Sequence, residues 1–401
     1  MKQQLDELMA ARGLDAVIVN GAGDHNPAMV YLSGGGHFKA SLVKVKGQAA
    51  AIYCYPMERE EAARTGLKTK VHQTLKTDPA SLAVETRWML QDNGLNSGRV
   101  AFYGQVDAGE FLSLMQEFQR IAPEYVLVGE TQDSILMSAR ATKENDEIER
   151  IRRMGKVTTQ VVGRVADMLS TAALRGNQLL NHAGEVLRVG EVKQQINLWL
   201  AEAGAENPEG TIFSIGRDAG VPHSTGSAGD ALELGKTIVF DIFPCEAQGG
   251  YFYDFTRTWC LGYAPDEVLK VYEDVLHVYQ TVVSRLAPGK PCKEYQNLTC
   301  ELFGKQGHPT IQSNPGTTDG YVHSLGHGLG LAVHEAPWFS LSMPGEDRLI
   351  PGSVFTIEPG LYYPERGIGV RLEDTYLAEA NGTFTKLADF PMDLILPTRK
   401  G

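Results

Sequence analysis

From Thr237 onward, stretches that read as β-strands carry acids and a histidine at positions facing inward. They are Asp241 in TIVFDI, Asp254 in YFYDFTRT, His327 in HSLGHGLG, Glu358 in VFTIEPG and Glu373 in GVRLED. A buried strand holds such groups only at high cost unless they are paired or share a bound cation. That cost makes these positions the strongest constraint on the fold.

At 401 residues the chain exceeds one ordinary core and predicts two domains. The first ~130 residues alternate helix-like pieces with Ala16 to Val19, Ala50 to Tyr53, Val100 to Tyr103 and Tyr125 to Val128, which reads as an α/β domain. Around Ser138 to Thr142 the character changes, and Ile148, Ile151, Val161, Val165 and Met168 recur at helical spacing. Further helix patterns run from Val192 to Leu200 and from Glu267 to Leu286, where Pro288-Gly289 stops the pattern.

Hydrophobic residues at 43% and charged ones at 21% fit a globular protein. A net charge of -12, with no Lys/Arg stripe, argues against a nucleic-acid partner. The opening MKQQLDELMAARG is an amphipathic helix pattern without a signal peptide's apolar run, and no stretch approaches the ~18 apolar residues of a membrane span. The expectation is a cytoplasmic protein with no membrane partner. Cys54, Cys245, Cys260, Cys292 and Cys300 are scattered without a CxxC pair, as reduced thiols are.

Residues 237–258 read as a hairpin. If the reversal centres on Ala247-Gln248, Asp241 and Asp254 are cross-strand neighbours on one face, able to share a cation; a bulge at Gly249-Gly250 would alter that register. An exposed hairpin with solvated acids fits this motif alone equally well. In His323 to Pro337, three of the ten histidines lie within twelve residues among glycines that allow close approach. In 367–376, Ile368, Val370 and Leu372 share one face while Arg371 and Glu373 share the other. Four carboxylates and one imidazole form an oxygen-rich donor set suited to Mn, Co or a hydrolytic Zn pair.

In this order, the five residues and the strings DFTRT, GHGLGLAVHE, TIEPGLY and GVRLED resemble the pita-bread metallopeptidases, which include methionine aminopeptidase, aminopeptidase P, prolidase and creatinase. The likeness covers about Ala141 to Pro397. Asn26 to Gly34, NPAMVYLSG, is similar to the creatinase-type N-terminal domain of aminopeptidase P and prolidase. The resemblance implies an α/β creatinase-like domain over 1–138 and an α+β pita-bread catalytic domain over 139–401. It further implies two divalent ions, with Mn preferred and Co or Zn as alternatives. Asp241 would hold one ion, Asp254 and Glu373 would bridge both, and His327 and Glu358 would complete the other. A hydroxide bridging the ions would be the nucleophile, with Glu358 as proton shuttle. His223 and His334 would steady substrate and intermediate, His323 would line the pocket, and Arg371 would support the ligands from behind.

The activity implied is hydrolysis of the bond before proline in dipeptides or short peptides, by a homodimer. Three features depart from the family pattern: an Asp241 to Asp254 spacing two residues longer, Ser324 where Gly is frequent, and an inserted stretch from Ala172 to Gly190. They leave room for a non-peptide hydrolase or lyase of this fold; a non-catalytic peptide-binding relative is a further alternative, although such a relative would be expected to have lost ligands that are kept here.

Overall fold

The computed structural model describes residues 4–131, 133–343 and 346–398. The chain divides into two units, Met1–Arg140 with Gln248–Gly250, and Ala141–Ala247 with Tyr251–Gly401. Among the described residues no helix is long and apolar enough to cross a membrane.

The first unit is built on a six-stranded mixed sheet. Its spatial order is Lys68–Val71, Ala51–Cys54, Lys39–Val45, Ala16–Ala22, Gly98–Gly104, Tyr125–Val128. Strand Ala16–Ala22 is apolar without alternation at its start because both faces are covered. Val17 and Val19 pack in one cluster with Met9, Ile135 and Leu136, while Ala16 and Ile18 pack in another with Met89, Leu90 and Phe118. The helices Leu5–Ala11 and Ile135–Arg140 supply the first layer, and Pro79–Asp92 and Ala108–Ile121 the second.

The second unit places helices against two main sheets. One sheet orders the strands Thr211–Ile215, Thr237–Ile242, Phe255–Leu261 and Ile395–Leu396; the other orders Glu335–Trp338, His327–Gly328, Val354–Ile357, Asp374–Ala378 and Phe384–Lys386. A separate antiparallel pair joins Gly360–Tyr363 to Ile368–Arg371. The long amphipathic helix Asn145–Thr171 starts at a capping box formed by Glu144 and Glu147. Helices Asp266–Ser284 and Cys292–Lys305 bury Val271, Val275, Val278, Val282, Tyr295 and Phe303 in one core with Phe355, Ile357, Leu361 and Val370. The inserted stretch forms a small hairpin, Ala173–Arg175 with Gln178–Leu180.

Two expectations about strand geometry need correction. Asp241 stands opposite Thr256, not Asp254. The reversal centres on Gln248-Gly249, whose φ angles of 68° and 71° give the paired left-handed residues of a two-residue turn. The register therefore lies two residues from the one assumed. Because side chains alternate with a period of two, that offset leaves Asp254 on the same face as Thr256, diagonal to Asp241. The second correction concerns GVRLED, which is not one strand. Ile368–Arg371 ends before Leu372, Glu373 bridges to Thr256, and the chain resumes as Asp374–Ala378 in the five-stranded sheet. Glu373 is thus the crossover residue between two sheets.

Candidate metal centre

The four acids and the imidazole arrive from different strand ends. Asp241 lies late in Thr237–Ile242, Asp254 immediately precedes Phe255–Leu261, and Glu358 directly follows Val354–Ile357. His327 opens a two-residue strand whose entry depends on glycine. A Cβ on Gly326 would lie 2.2 Å from the Thr356 carbonyl oxygen, and one on Gly328 would lie 2.0 Å from that of Ala336. Ligand atoms of Asp254, His327 and Glu373 all lie within 4.8 Å of one another. His327 Nε2 is 3.3 Å from Glu358 Oε1 and 3.6 Å from Asp254 Oδ2.

Electrostatics makes this convergence unstable unless something positive sits among the carboxylates. Burial, then the charges of Glu373, Asp241 and Glu358, raises the Asp254 carboxyl well above its ordinary range. Burial, then Glu358 and Asp241, does the same to Glu373. Glu358 is pushed up to about 8, first by burial and then by Asp241, against the opposing charge of Arg371. Three carboxylate oxygens, Asp241 Oδ1, Asp254 Oδ1 and Glu373 Oε1, are buried without a hydrogen-bond partner. Burial also lowers the pKa of His327, favouring the neutral ring. Its Nδ1 faces the Gly328 carbonyl at 3.1 Å, which can only accept, so the Nε2 lone pair is turned toward the acids. Carboxylate oxygens without partners, facing a neutral imidazole lone pair, are a donor set that fits divalent cations.

The surrounding groups hold this set in shape. Arg371 donates from Nη2 to Asp241 Oδ2 at 2.6 Å, from Nη1 to Tyr362 Oη at 2.6 Å and from Nε to Thr256 Oγ1 at 3.3 Å. The Thr256 hydroxyl in turn donates to Glu373 Oε2 at 2.6 Å. His323 has both ring nitrogens committed within the chain. Nδ1 faces the Ser324 carbonyl at 2.7 Å, and Nε2 faces the Tyr362 hydroxyl at 2.9 Å. Burial, and then the charge of Arg371, holds its pKa down to about 3, so it stands as a neutral ring. His334 packs its ring 4.3 Å from that of His327 and is exposed. His223 is exposed, next to Pro222, whose carbonyl accepts from Arg371 at 3.3 Å. Cys245 stays outside this chemistry, because burial pushes its thiol up to about 12.

Thr256 and Tyr362 escaped the sequence reading. The signal for Thr256 was available, since it lies two residues after Asp254 and shares its face. Tyr362 needed the register of the 360–371 hairpin. Arg371 pairs with Gly360, which makes Tyr362 its diagonal neighbour. Gly360 also clears the space: a Cβ there would lie 2.5 Å from the Tyr362 hydroxyl. Tyr362→Phe is expected to leave the buried Arg371 and His323 nitrogens each short of one partner, costing about 1–3 kcal/mol. Thermal unfolding of the variant measures this, and an unchanged midpoint would show that the hydroxyl holds nothing.

Independent resemblances agree with this architecture. A sequence model of metallopeptidase family M24 matches residues 149–380, and one of the creatinase/prolidase N-terminal domain matches residues 2–133. The chain is 28% identical over 395 residues to a Xaa-Pro dipeptidase of Pyrococcus furiosus, covering 95% of this chain and 97% of the relative. To a Xaa-Pro dipeptidase of Pyrococcus horikoshii it is 26% identical over 382 residues, 95% of both chains. Among solved structures, a Xaa-Pro dipeptidase from Bacillus anthracis superposes with a TM-score of 0.77 at 20% identity, covering 98% of this chain and 99% of that one, and shares the fold. With more than half of its length matched by that family model, this chain belongs to metallopeptidase family M24, and its N-terminal region is a creatinase/prolidase-type domain.

Proposed function

We propose that the chain hydrolyses the peptide bond before proline in dipeptides or short peptides, using two divalent ions held by Asp241, Asp254, His327, Glu358 and Glu373. The observation that carries the metal half is the meeting of buried, partnerless carboxylate oxygens with the free lone pair of His327. The substrate half rests on two near-full-length relatives, both named Xaa-Pro dipeptidase. The oxygen-rich donors favour Mn over softer ions. Residues 1–138 form the N-terminal domain of this reading and 139–401 the catalytic one, and a two-fold homodimer is the assembly proposed.

When bound, the ions supply an acidified water and polarise the scissile carbonyl. Glu358 takes a proton from the attacking water and passes it to the departing nitrogen. His223 and His334 donate hydrogen bonds to the substrate carbonyl oxygen as it gains charge. His323 presents a neutral ring as a wall of the pocket, since neither nitrogen is free to bind substrate. Arg371 keeps Asp241 oriented.

The test is direct. Full-length protein loaded with Mn is assayed on Ala-Pro, Ala-Pro-Ala and Ala-Ala-Ala, and its metal content is measured. Two ions per chain, with cleavage of the proline-containing peptides alone, is the expected result. Folded protein that takes up no divalent ion, or turnover of Ala-Ala-Ala alone, would overturn it.

A further inference from the structure

The segment carrying His323 belongs to no strand until His327, yet its backbone is not left free. Gln296, on the Cys292–Lys305 helix, is fully buried and directs its amide at this segment. Its Oε1 accepts from the Leu325 N–H at 2.6 Å and from the Tyr321 hydroxyl at 2.9 Å. Its Nε2 faces the His323 carbonyl at 3.4 Å and Cys300 Sγ at 3.8 Å. The orientation of the amide is not ambiguous, because a backbone N–H can only donate and a carbonyl can only accept. One side-chain amide thus pairs with the C=O of residue 323 and the N–H of residue 325, the two groups that a neighbouring strand would use.

The pinned residues lead to the reaction site on both sides. His323 sets its ring against Tyr362, and the Leu325 carbonyl accepts the Glu358 N–H at 2.8 Å. We propose that Gln296 is a positioning residue, standing in for a missing strand so that the His323 wall keeps its place beside the substrate. This rests on the reading of His323 as pocket wall. None of the five metal ligands takes a hydrogen bond from Gln296 itself, whereas the His323 carbonyl does, so the loss is expected to fall on the wall rather than on metal content.

Gln296→Met keeps the side chain's size and removes the amide. In the Mn-loaded full chain it is expected to retain the parent's metal content while KM for Ala-Pro rises ~10-fold or more and kcat stays within ~3-fold, because the loss falls on substrate placement. Hydrogen exchange at residues 323–326 should quicken at the same time. A variant with parental KM and kcat, even one that melts earlier, would reduce Gln296 to a structural role and overturn the proposal.

If the Met variant does not fold, Gln296→Glu takes its place. Protonated, its carboxyl accepts from Leu325 and donates to the His323 carbonyl; ionised, it repels that carbonyl. KM should then approach the parental value at acidic pH and rise as pH increases, whereas a variant tracking the parent at every pH would sink the idea. Should the parent cleave none of the peptides, the proposed function fails, and hydrogen exchange still tests the pin itself.

Discussion

Glu373→Gln is expected to abolish metal-dependent hydrolysis and, at the same time, to make the metal-free protein more stable than its parent. Both effects follow from the crowding of buried carboxylates around His327 Nε2. Burial and the neighbouring acids raise the Glu373 carboxyl well above its normal range, which means the fold resists its negative charge. Gln has nearly the same shape and no charge. Its oxygen can still accept from the Thr256 hydroxyl, and its amide can donate to a neighbouring acid that now lacks a partner. Removing one buried like charge should stabilise the metal-free protein by about 1–3 kcal/mol. The same change removes one of the proposed metal ligands, and the hydrolysis rate should fall by roughly 10²- to 10³-fold or more. Unfolding in the presence of chelator, alongside metal content and turnover, separates the two effects. A variant that keeps parental metal content and rate, or melts below the chelated parent, would show that Glu373 is an ordinary buried acid.

Much of this arrangement could be read from the chain, and the parts that could not share a physical cause. The α/β character of the first unit was legible because strands covered on both faces leave unbroken apolar runs such as Ala16 to Val19. The acids and His327 stood out because charged groups in buried strands demand an explanation. The hairpin register was hidden for a different reason. A two-residue slip moves no side chain to the other face, so hydrophobic alternation cannot distinguish Asp241 opposite Thr256 from Asp241 opposite Asp254. The deciding feature was Gln248 in a left-handed conformation, one residue beyond the assumed centre at Ala247-Gln248, while Gly249-Gly250 suggested only a bulge. Likewise the crossover at Glu373 left no mark, because GVRLED alternates as a continuous strand would. Gln296 and Tyr362 depend on tertiary contacts across 29 and 39 residues of sequence, beyond what local periodicity reports.

Arg257→Met is expected to cause the largest loss of stability, and pairing it with Asp374→Leu should not restore what is lost. Arg257 sits in DFTRT, between Thr256 and Thr258, and is fully buried. Every one of its five N–H donors is used. Nε donates to the Pro391 carbonyl at 2.9 Å; Nη1 donates to those of Thr256 at 2.9 Å and Glu373 at 2.8 Å; Nη2 donates to the Phe390 carbonyl at 2.9 Å and to Asp374 Oδ1 at 2.8 Å. Removing one partner of a buried ion pair typically costs about 3–5 kcal/mol, or roughly 6–20 °C in midpoint at about 2–4 °C per kcal/mol for a domain of this size class. For many buried pairs, replacing both charges with apolar groups recovers most of that loss. Here the double variant would still leave the carbonyls of Thr256, Glu373, Phe390 and Pro391 without this donor, and would also strip Tyr279 and Lys386 of the Asp374 carboxylate they share. Urea unfolding of the two single variants and the double variant checks this. A double variant close to the parent would mean that the charge pair, and not the carbonyls, carries the stabilisation. Because Nη1 ties the Thr256 and Glu373 backbones together, a folded Arg257→Lys protein should also bind metal more weakly, by roughly 10- to 100-fold, the range seen when groups that orient metal ligands are lost. A Lys variant that folds and keeps parental metal affinity would confine Arg257 to stability alone.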